Sequence, residues 1–239
     1  MRLKPEQSFA AGLRAGLPIG LGYLSVAFAF GIFAVQAGLS PWEALLISCC
    51  NVTSAGQLAA VPVLAGGGTL PELALAQLVI NLRYALMGVS LSQKLGNDVR
   101  TADRFAIAFV NTDEVFAVAS AQEGRLSRRY LYGLECLPYI GWAVGTILGA
   151  LTGDLLPSAL LAALGIAIYA MFVAIVVPAA KNSLPVALCA LGAALLRTAF
   201  TLLPGLRDVP AGFAVILCSV PAAAVAAWLA PETGKETGA

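Results

Sequence analysis

Apolar residues run in eight long stretches along the chain, at about 9–37, 41–65, 71–93, 102–122, 130–151, 157–179, 184–203 and 209–230. A membrane-spanning helix needs about 20 mainly apolar residues. These stretches have that length and show no sustained period-two alternation, so they predict helices and argue against a β-barrel. Polar residues interrupt three of them. The second carries Asn51-Val52-Thr53-Ser54-Ala55-Gly56-Gln57, the third Asn81, Arg83 and Tyr84, and the fourth Asn111-Thr112-Asp113-Glu114. The expected fold is all-α: a polytopic transmembrane bundle of seven to eight segments with broken or re-entrant helices.

The pattern repeats. Pro71–Ala85 laid on Pro185–Ala199 matches at Pro71/Pro185, Ala76/Ala190, Leu82/Leu196, Arg83/Arg197 and Ala85/Ala199. Gly12-Leu13 and Leu17-Pro18-Ile19-Gly20 resemble Gly133-Leu134 and Leu137-Pro138-Tyr139-Ile140-Gly141 in the same order. Two four-segment repeats are therefore expected, 1–122 and 130–230, followed by a polar tail at 231–239, all in one membrane domain. Intramembrane polar residues concentrate in the first repeat; in the second, mainly the arginine persists.

Composition fixes the class. Hydrophobic residues make up 59% of the chain and charged residues 11%, where soluble domains carry about 25% charged residues. The absence of histidine removes His-dependent triads, helical zinc motifs and haem ligation by His. The five cysteines lie in apolar stretches without a CxxC pair and read as small buried side chains. No metal, cofactor or nucleic-acid partner is expected; the lipid bilayer is.

Arg2, Lys4 and Arg14 precede or open the first apolar stretch, which predicts a retained first helix with a cytoplasmic N-terminus. If all eight stretches cross, Lys and Arg divide 8 to 4 in favour of the interior; with the second and sixth re-entrant, the division is again 8 to 4. The positive-inside rule does not separate these topologies.

Three polar constellations carry candidate chemistry. Breaks inside lipid are tolerated where they line a cavity, and they expose half-helix N-termini suited to a carboxylate. Asn51, Thr53, Ser54 and Gln57 are thus candidate substrate contacts, against a reading as helix-packing residues. Arg83, with Asn81 and Tyr84, can pair Asp113 or Glu114, hold a substrate carboxylate through its guanidinium, or snorkel to an interface. Asn111, Asp113 and Glu114 are candidates for charge compensation or proton coupling, against a place in the headgroups. Glu135 is a weaker candidate. Trp42, Trp142 and Trp228 read as interfacial anchors or packing. No nucleophile–base arrangement stands out, so no enzyme is expected.

The run from Leu17-Pro18-Ile19-Gly20-Leu21-Gly22-Tyr23 through Ser54-Ala55-Gly56-Gln57 to Asn81-Leu82-Arg83-Tyr84 resembles the AzlC family. Asp113-Glu114, Met171-Phe172-Val173-Ala174-Ile175-Val176-Val177-Pro178 and Val209-Pro210-Ala211-Gly212-Phe213 extend the likeness over nearly the whole chain. The resemblance implies a large subunit of a two-component exporter of branched-chain amino acids. It also implies the bacterial inner membrane, a small AzlD-type membrane subunit as partner, and transport driven by ion gradients. Two positions depart from the family pattern. Tyr84 stands where many relatives have His, and Ile166-Ala167 follows Leu164-Gly165 where many have Asp. A carrier of another small zwitterion and a non-transporting assembly subunit are the alternative expectations.

Overall fold

A computed structural model describes residues 7–157, 159–160, 163, 166, 173 and 176–229. Most of the sixth stretch, the motif beginning at Met171 and the tail 231–239 lie outside the described residues. The helices are α1 (Phe9–Gln36), α2 (Pro41–Cys50), α3 (Ser54–Ala65), α4 (Leu70–Lys94), α5 (Thr101–Val110), α6 (Asp113–Ala121), α7 (Arg128–Thr152), α8 (Leu184–Leu202) and α9 (Ala211–Leu229). Residues 176–182 are also helical. Five helices, α1, α4, α7, α8 and α9, are long and apolar enough to cross a membrane. The expectation of seven to eight segments therefore meets five long helices and two broken pairs among the described residues.

Local chemistry sets the boundaries. Ser8 caps α1 by accepting from the Ala11 amide, and Ser127 caps α7 by accepting from Tyr130. Ser40 and Glu43 form a capping box around Pro41 at the start of α2. Thr112 caps α6, with Asp113 and Glu114 in the first turn where the helix dipole favours negative charge.

The chain forms two compact units, Met1–Val61 with Ile80–Ile168, and Pro62–Val79 with Tyr169–Ala239. In the first unit α1 and α7 pack side by side and parallel. A Cβ on Gly12 would overlap the Tyr130 carbonyl, one on Gly141 the Gly20 carbonyl, and one on Gly149 the Phe28 carbonyl. Contact partners climb together along both helices, from Gly12 opposite Tyr130 to Gly31 opposite Thr146 and Ala150. Bare backbone on both sides permits this approach.

Parallel α1 and α7 constrain everything between them. The α2–α3 pair starts at the far end of α1 and returns there. Ala44 and Val61 share one cluster with Phe30, Ala34 and Ala150, whereas Val52 at the break packs with Tyr23, Ala27 and Trp142 halfway along. The α5–α6 pair does the same from the opposite end. Tyr132 near the start of α7 donates to Asp103 of α5. Thr112 at the break lies 2.6 Å from the Tyr23 hydroxyl. At the end of α6, Lys94 donates to the Ser120 and Gln122 carbonyls. The loop after α4 also pairs with the loop before α7 through Gly96 N–H to Leu126 O and Leu126 N–H to Lys94 O. These four half-helices hold 9 to 12 residues each, or about 14–18 Å, which is half of a hydrocarbon core of about 30 Å.

Both broken pairs are therefore hairpins of half-length helices that enter from opposite ends of the α1–α7 pair and meet near Tyr23. A hairpin at the second stretch fits the sequence topology in which that stretch is re-entrant. The same shape at the fourth stretch was in neither topology. With the fourth as a full crossing and the second re-entrant, α7 would run antiparallel to α1. The hairpin also breaks the charge tie. Lys94, Arg100, Arg104, Arg125, Arg128 and Arg129 lie in or beside the paired loops at the N-terminal end of α1, while residues 37–40 and 153–157 at its other end contain no Lys or Arg. By the positive-inside rule the basic end is the expected cytoplasmic one.

In the second unit α8 packs on α9. The amide of Gly212, at the start of α9, donates to Glu72 Oε1 at 2.8 Å. A Cβ on Gly212 would meet Glu72, so glycine lets the buried carboxylate sit on the helix end.

Candidate functional site

The hairpin tips place the candidate residues. Arg83, in the middle of α4, brings Nη2 to 2.7 Å from Asp113 Oδ2 in the first turn of α6. Both side chains are about half open, at 48% and 43% exposure. The same nitrogen donates to the Tyr84 hydroxyl at 3.1 Å. Thr53, at the α2–α3 break, lies beside Tyr84. The next carboxylate along, Glu114, points elsewhere and accepts from Tyr23. Adjacent residues on a helix diverge by about 100°, so Asp113 serves Arg83 while Glu114 serves Tyr23. A one-proton hydroxyl holding both Glu114 and Thr112 donates to the carboxylate and accepts from the threonine.

Gln57 belongs to a different cluster. It is fully buried. Its Nε2 donates to Ser48 at 2.8 Å, and its Oε1 accepts from the Trp142 indole at 2.9 Å. Ser48 bonds Thr146 at 2.6 Å, and Thr146 donates to the Trp142 carbonyl at 3.0 Å. The ring of bonds closes on itself and ties both arms of the α2–α3 hairpin to α7. A cavity of about 10 Å³ adjoins it, lined by Val26, Phe30, Ser54, Gln57, Leu58 and Trp142. That is the limit for one water and far short of an amino acid.

The remaining candidates surround these two clusters. Asn51 is half-buried at the end of α2, Ser54 opens α3, and Asn81 is half-buried on α4 two residues before Arg83. Asn111 is buried at the end of α5, and its Oδ1 has no hydrogen-bond partner. Structure thus joins Arg83, Tyr84, Thr53 and Asp113, and separates Gln57 from them. Arg197 is exposed on α8 in the second unit.

Several contributors were not on the sequence list. Tyr23 and Trp142 pack edge to face with ring centroids 4.8 Å apart, and each bonds one hairpin. Of the two readings, anchor or packing, Trp142 takes the second as an internal residue, whereas Trp42 and Trp228 are exposed. Tyr139 donates to the Cys49 carbonyl at the end of α2 and its ring lies 6.4 Å from Phe109 at the end of α5. Its place one turn before Trp142 was the available signal: the pair marks a single face of α7. Among the described residues no His, Cys, Asp and Glu group is arranged to hold a metal ion.

Comparison with known proteins gives the family. The profile of a family described as AzlC protein matches residues 18–156, from within α1 to just past α7. The inner membrane protein YgaZ of Escherichia coli K12 is 34% identical over 195 residues, 78% of this chain and 80% of that protein. An uncharacterized membrane protein of Archaeoglobus fulgidus is 34% identical over 184 residues, 75% of this chain and 80% of that protein. One from Helicobacter pylori 26695 is 27% identical over 141 residues, 58% of this chain and 61% of that protein. No solved structure matches. Several helices long and apolar enough to span a membrane, a family profile over residues 18–156 and a relative 34% identical over most of both chains lead to one conclusion: the chain is a multi-pass membrane protein of the AzlC family.

Proposed function

We propose that the protein is a secondary transporter that exports branched-chain amino acids across the bacterial inner membrane, working with a small AzlD-type membrane subunit. The observation that carries this reading is the half-open Arg83–Asp113 pair at the hairpin tips. An amino acid zwitterion has the mirror image of these charges. Its carboxylate can take the guanidinium N–H groups not used by Asp113, and its ammonium the second carboxylate oxygen. Substrate thereby replaces one ion pair by two, and neither protein charge is left bare in a low-dielectric setting, where an unpaired charge is costly.

The other candidates complete the pocket in this reading. Thr53, Ser54 and the first amides of α3 present a helix N-terminus to the substrate carboxylate. Asn51, Asn81, Tyr84 and Asn111 supply neutral polar contacts. Gln57 holds the hairpin from behind. Glu114, restrained by Tyr23, balances charge as the site changes access. The substrate side chain rests on aliphatic surface. Alternating access would carry the hairpins against the α1–α7 pair, with no covalent step and no cofactor. YgaZ is named an inner membrane protein, which supports the location.

Efflux of labelled leucine and valine from loaded vesicles, with both subunits reconstituted, tests the proposal. Efflux above empty vesicles is expected; none would overturn it. Tyr84 in place of the more usual His favours one second reading, a carrier of another small zwitterion, which a substrate panel in those vesicles separates.

A further inference from the structure

Glu135 is a carboxylate without a counterpart. It lies on α7 at 4% exposure, and its Oε1 has no hydrogen-bond partner. The other acids inside the two units are answered: Asp103 by Tyr132 and Arg128, Asp113 by Arg83, Glu114 by Tyr23, and Glu72 by the Gly212 amide. Burying an ionised carboxylate with no cation is far more costly than burying the neutral acid.

Its position is also particular. Glu135 comes three residues after Tyr132, which holds Asp103, and four before Tyr139, which packs on Phe109. Asp103 and Phe109 are the two ends of α5, so α5 lies along the stretch of α7 that contains Glu135. The depth from Arg128 is about 10 Å, between the basic cytoplasmic loops and the hairpin tip, where Asn111 Oδ1 is likewise buried without a partner. The titratable groups that neighbouring elements bring to this part of α7 are Tyr23 from α1, Cys49 and Cys50 from α2, Asp103 from α5, and Asp113 and Glu114 from α6. Tyr132 and Tyr139 lie on α7 itself. Of the cations on these elements, Arg14 of α1 and Arg104 of α5 are exposed, and Arg128 is engaged with Asp103 at 3.6 Å.

We propose that Glu135 is a proton-binding site that couples transport to the proton gradient. With α5 against α7 the side chain is the neutral acid. When the α5–α6 hairpin moves off, cytoplasmic water reaches it, the carboxyl O–H bond breaks, and the proton passes to water. The hairpin returns only after the carboxylate has taken a proton that entered from the opposite face, so each cycle carries one proton inward. This inference rests on the transport reading above and adds its coupling group.

The test uses the two-subunit complex in vesicles and Glu135→Gln, which keeps size and neutrality. Leucine counterflow needs no net proton movement; accumulation driven by an imposed pH gradient does. Glu135→Gln should keep counterflow while gradient-driven accumulation falls to the level of empty vesicles, and Glu135→Asp should restore part of it. The infrared carboxyl band that responds to pH change should vanish in Glu135→Gln. Unchanged gradient-driven accumulation in Glu135→Gln overturns the proposal, as does loss of counterflow in a monodisperse variant. Absence of counterflow in the wild type would instead count against transport itself.

Discussion

Ser48 and Gln57 face each other across the break between α2 and α3, with the Gln57 amide donating to the serine hydroxyl at 2.8 Å. This contact closes the hairpin, and the Trp142 indole on the other end of the amide fastens it to α7. Replacing Gln57 with Leu leaves the buried Trp142 indole N–H unanswered and removes the donor to Ser48, whose hydroxyl keeps Thr146. The expected cost is about 1–3 kcal/mol, seen as a lower midpoint in thermal unfolding of the detergent-purified protein. An unchanged midpoint would mean the network does not hold the hairpin.

Arg83 and Asp113 should matter for transport beyond their effect on folding. A hydrogen bond to a charged group contributes about 1.5–3 kcal/mol, so Arg83→Gln or Asp113→Asn should slow leucine efflux about 10–100-fold. Arg83→Lys keeps the charge without the planar fork and should fall between. Vesicle efflux at matched protein levels decides; wild-type rates in either neutral variant exclude the proposed contact.

The α1–α7 seam makes a local prediction with its own control. Gly149→Ala forces a methyl into the Phe28 carbonyl, at an expected cost of about 1–3 kcal/mol. Gly22 lies on α1, the helix of Phe28, with nothing near its missing Cβ, so Gly22→Ala should change stability by less than about 0.5 kcal/mol. Thermal unfolding of the two variants side by side gives the comparison.

Re-entry of both hairpins can be read by chemical labelling. In a cysteine-free background, Asn97→Cys and Glu123→Cys should react with a membrane-impermeant maleimide from one face, and Gln36→Cys from the other. If Asn97→Cys and Glu123→Cys label from opposite faces, α5–α6 crosses the membrane and the hairpin assignment fails.

Much of the membrane class and one of the two breaks were legible in the residues. Asn51 to Gln57 advertised its break because small and polar side chains interrupt an otherwise apolar run. The α5–α6 break was harder to see, since no Gly or Pro marks it. Its signal was a helix start: Thr112 as cap, then Asp113 and Glu114 in the first turn, a pattern that also fits a charged patch in a continuing helix. The pairing of Arg83 with an acid of the fourth stretch was anticipated, and the choice of Asp113 over Glu114 needed the helix orientation. The role of Trp142 was hidden because a lone tryptophan near an apolar stretch looks the same whether it faces headgroups or a buried amide. Topology stayed open for a different reason. Loop charges reveal sides only after re-entrant segments are recognised, and re-entry is set by long-range contacts such as Leu126 with Lys94.

The glycine seam between α1 and α7 also determines what can move. Where backbone meets backbone, a one-residue slide would drive side chains such as Leu24 or Leu137 into places that now hold no side chain. The two helices are thus locked like a key in a ward, at one height only. Hairpins built from half-length helices have no such lock, because they meet the seam through side chains: hydrogen bonds to Tyr23, Tyr132, Tyr139, Trp142 and Thr146, and apolar packing such as Val115 and Ala119 with Leu131 and Leu134. Within this unit, any stroke that carries a solute falls to the short arms, and the long pair acts as the fixed post against which they swing.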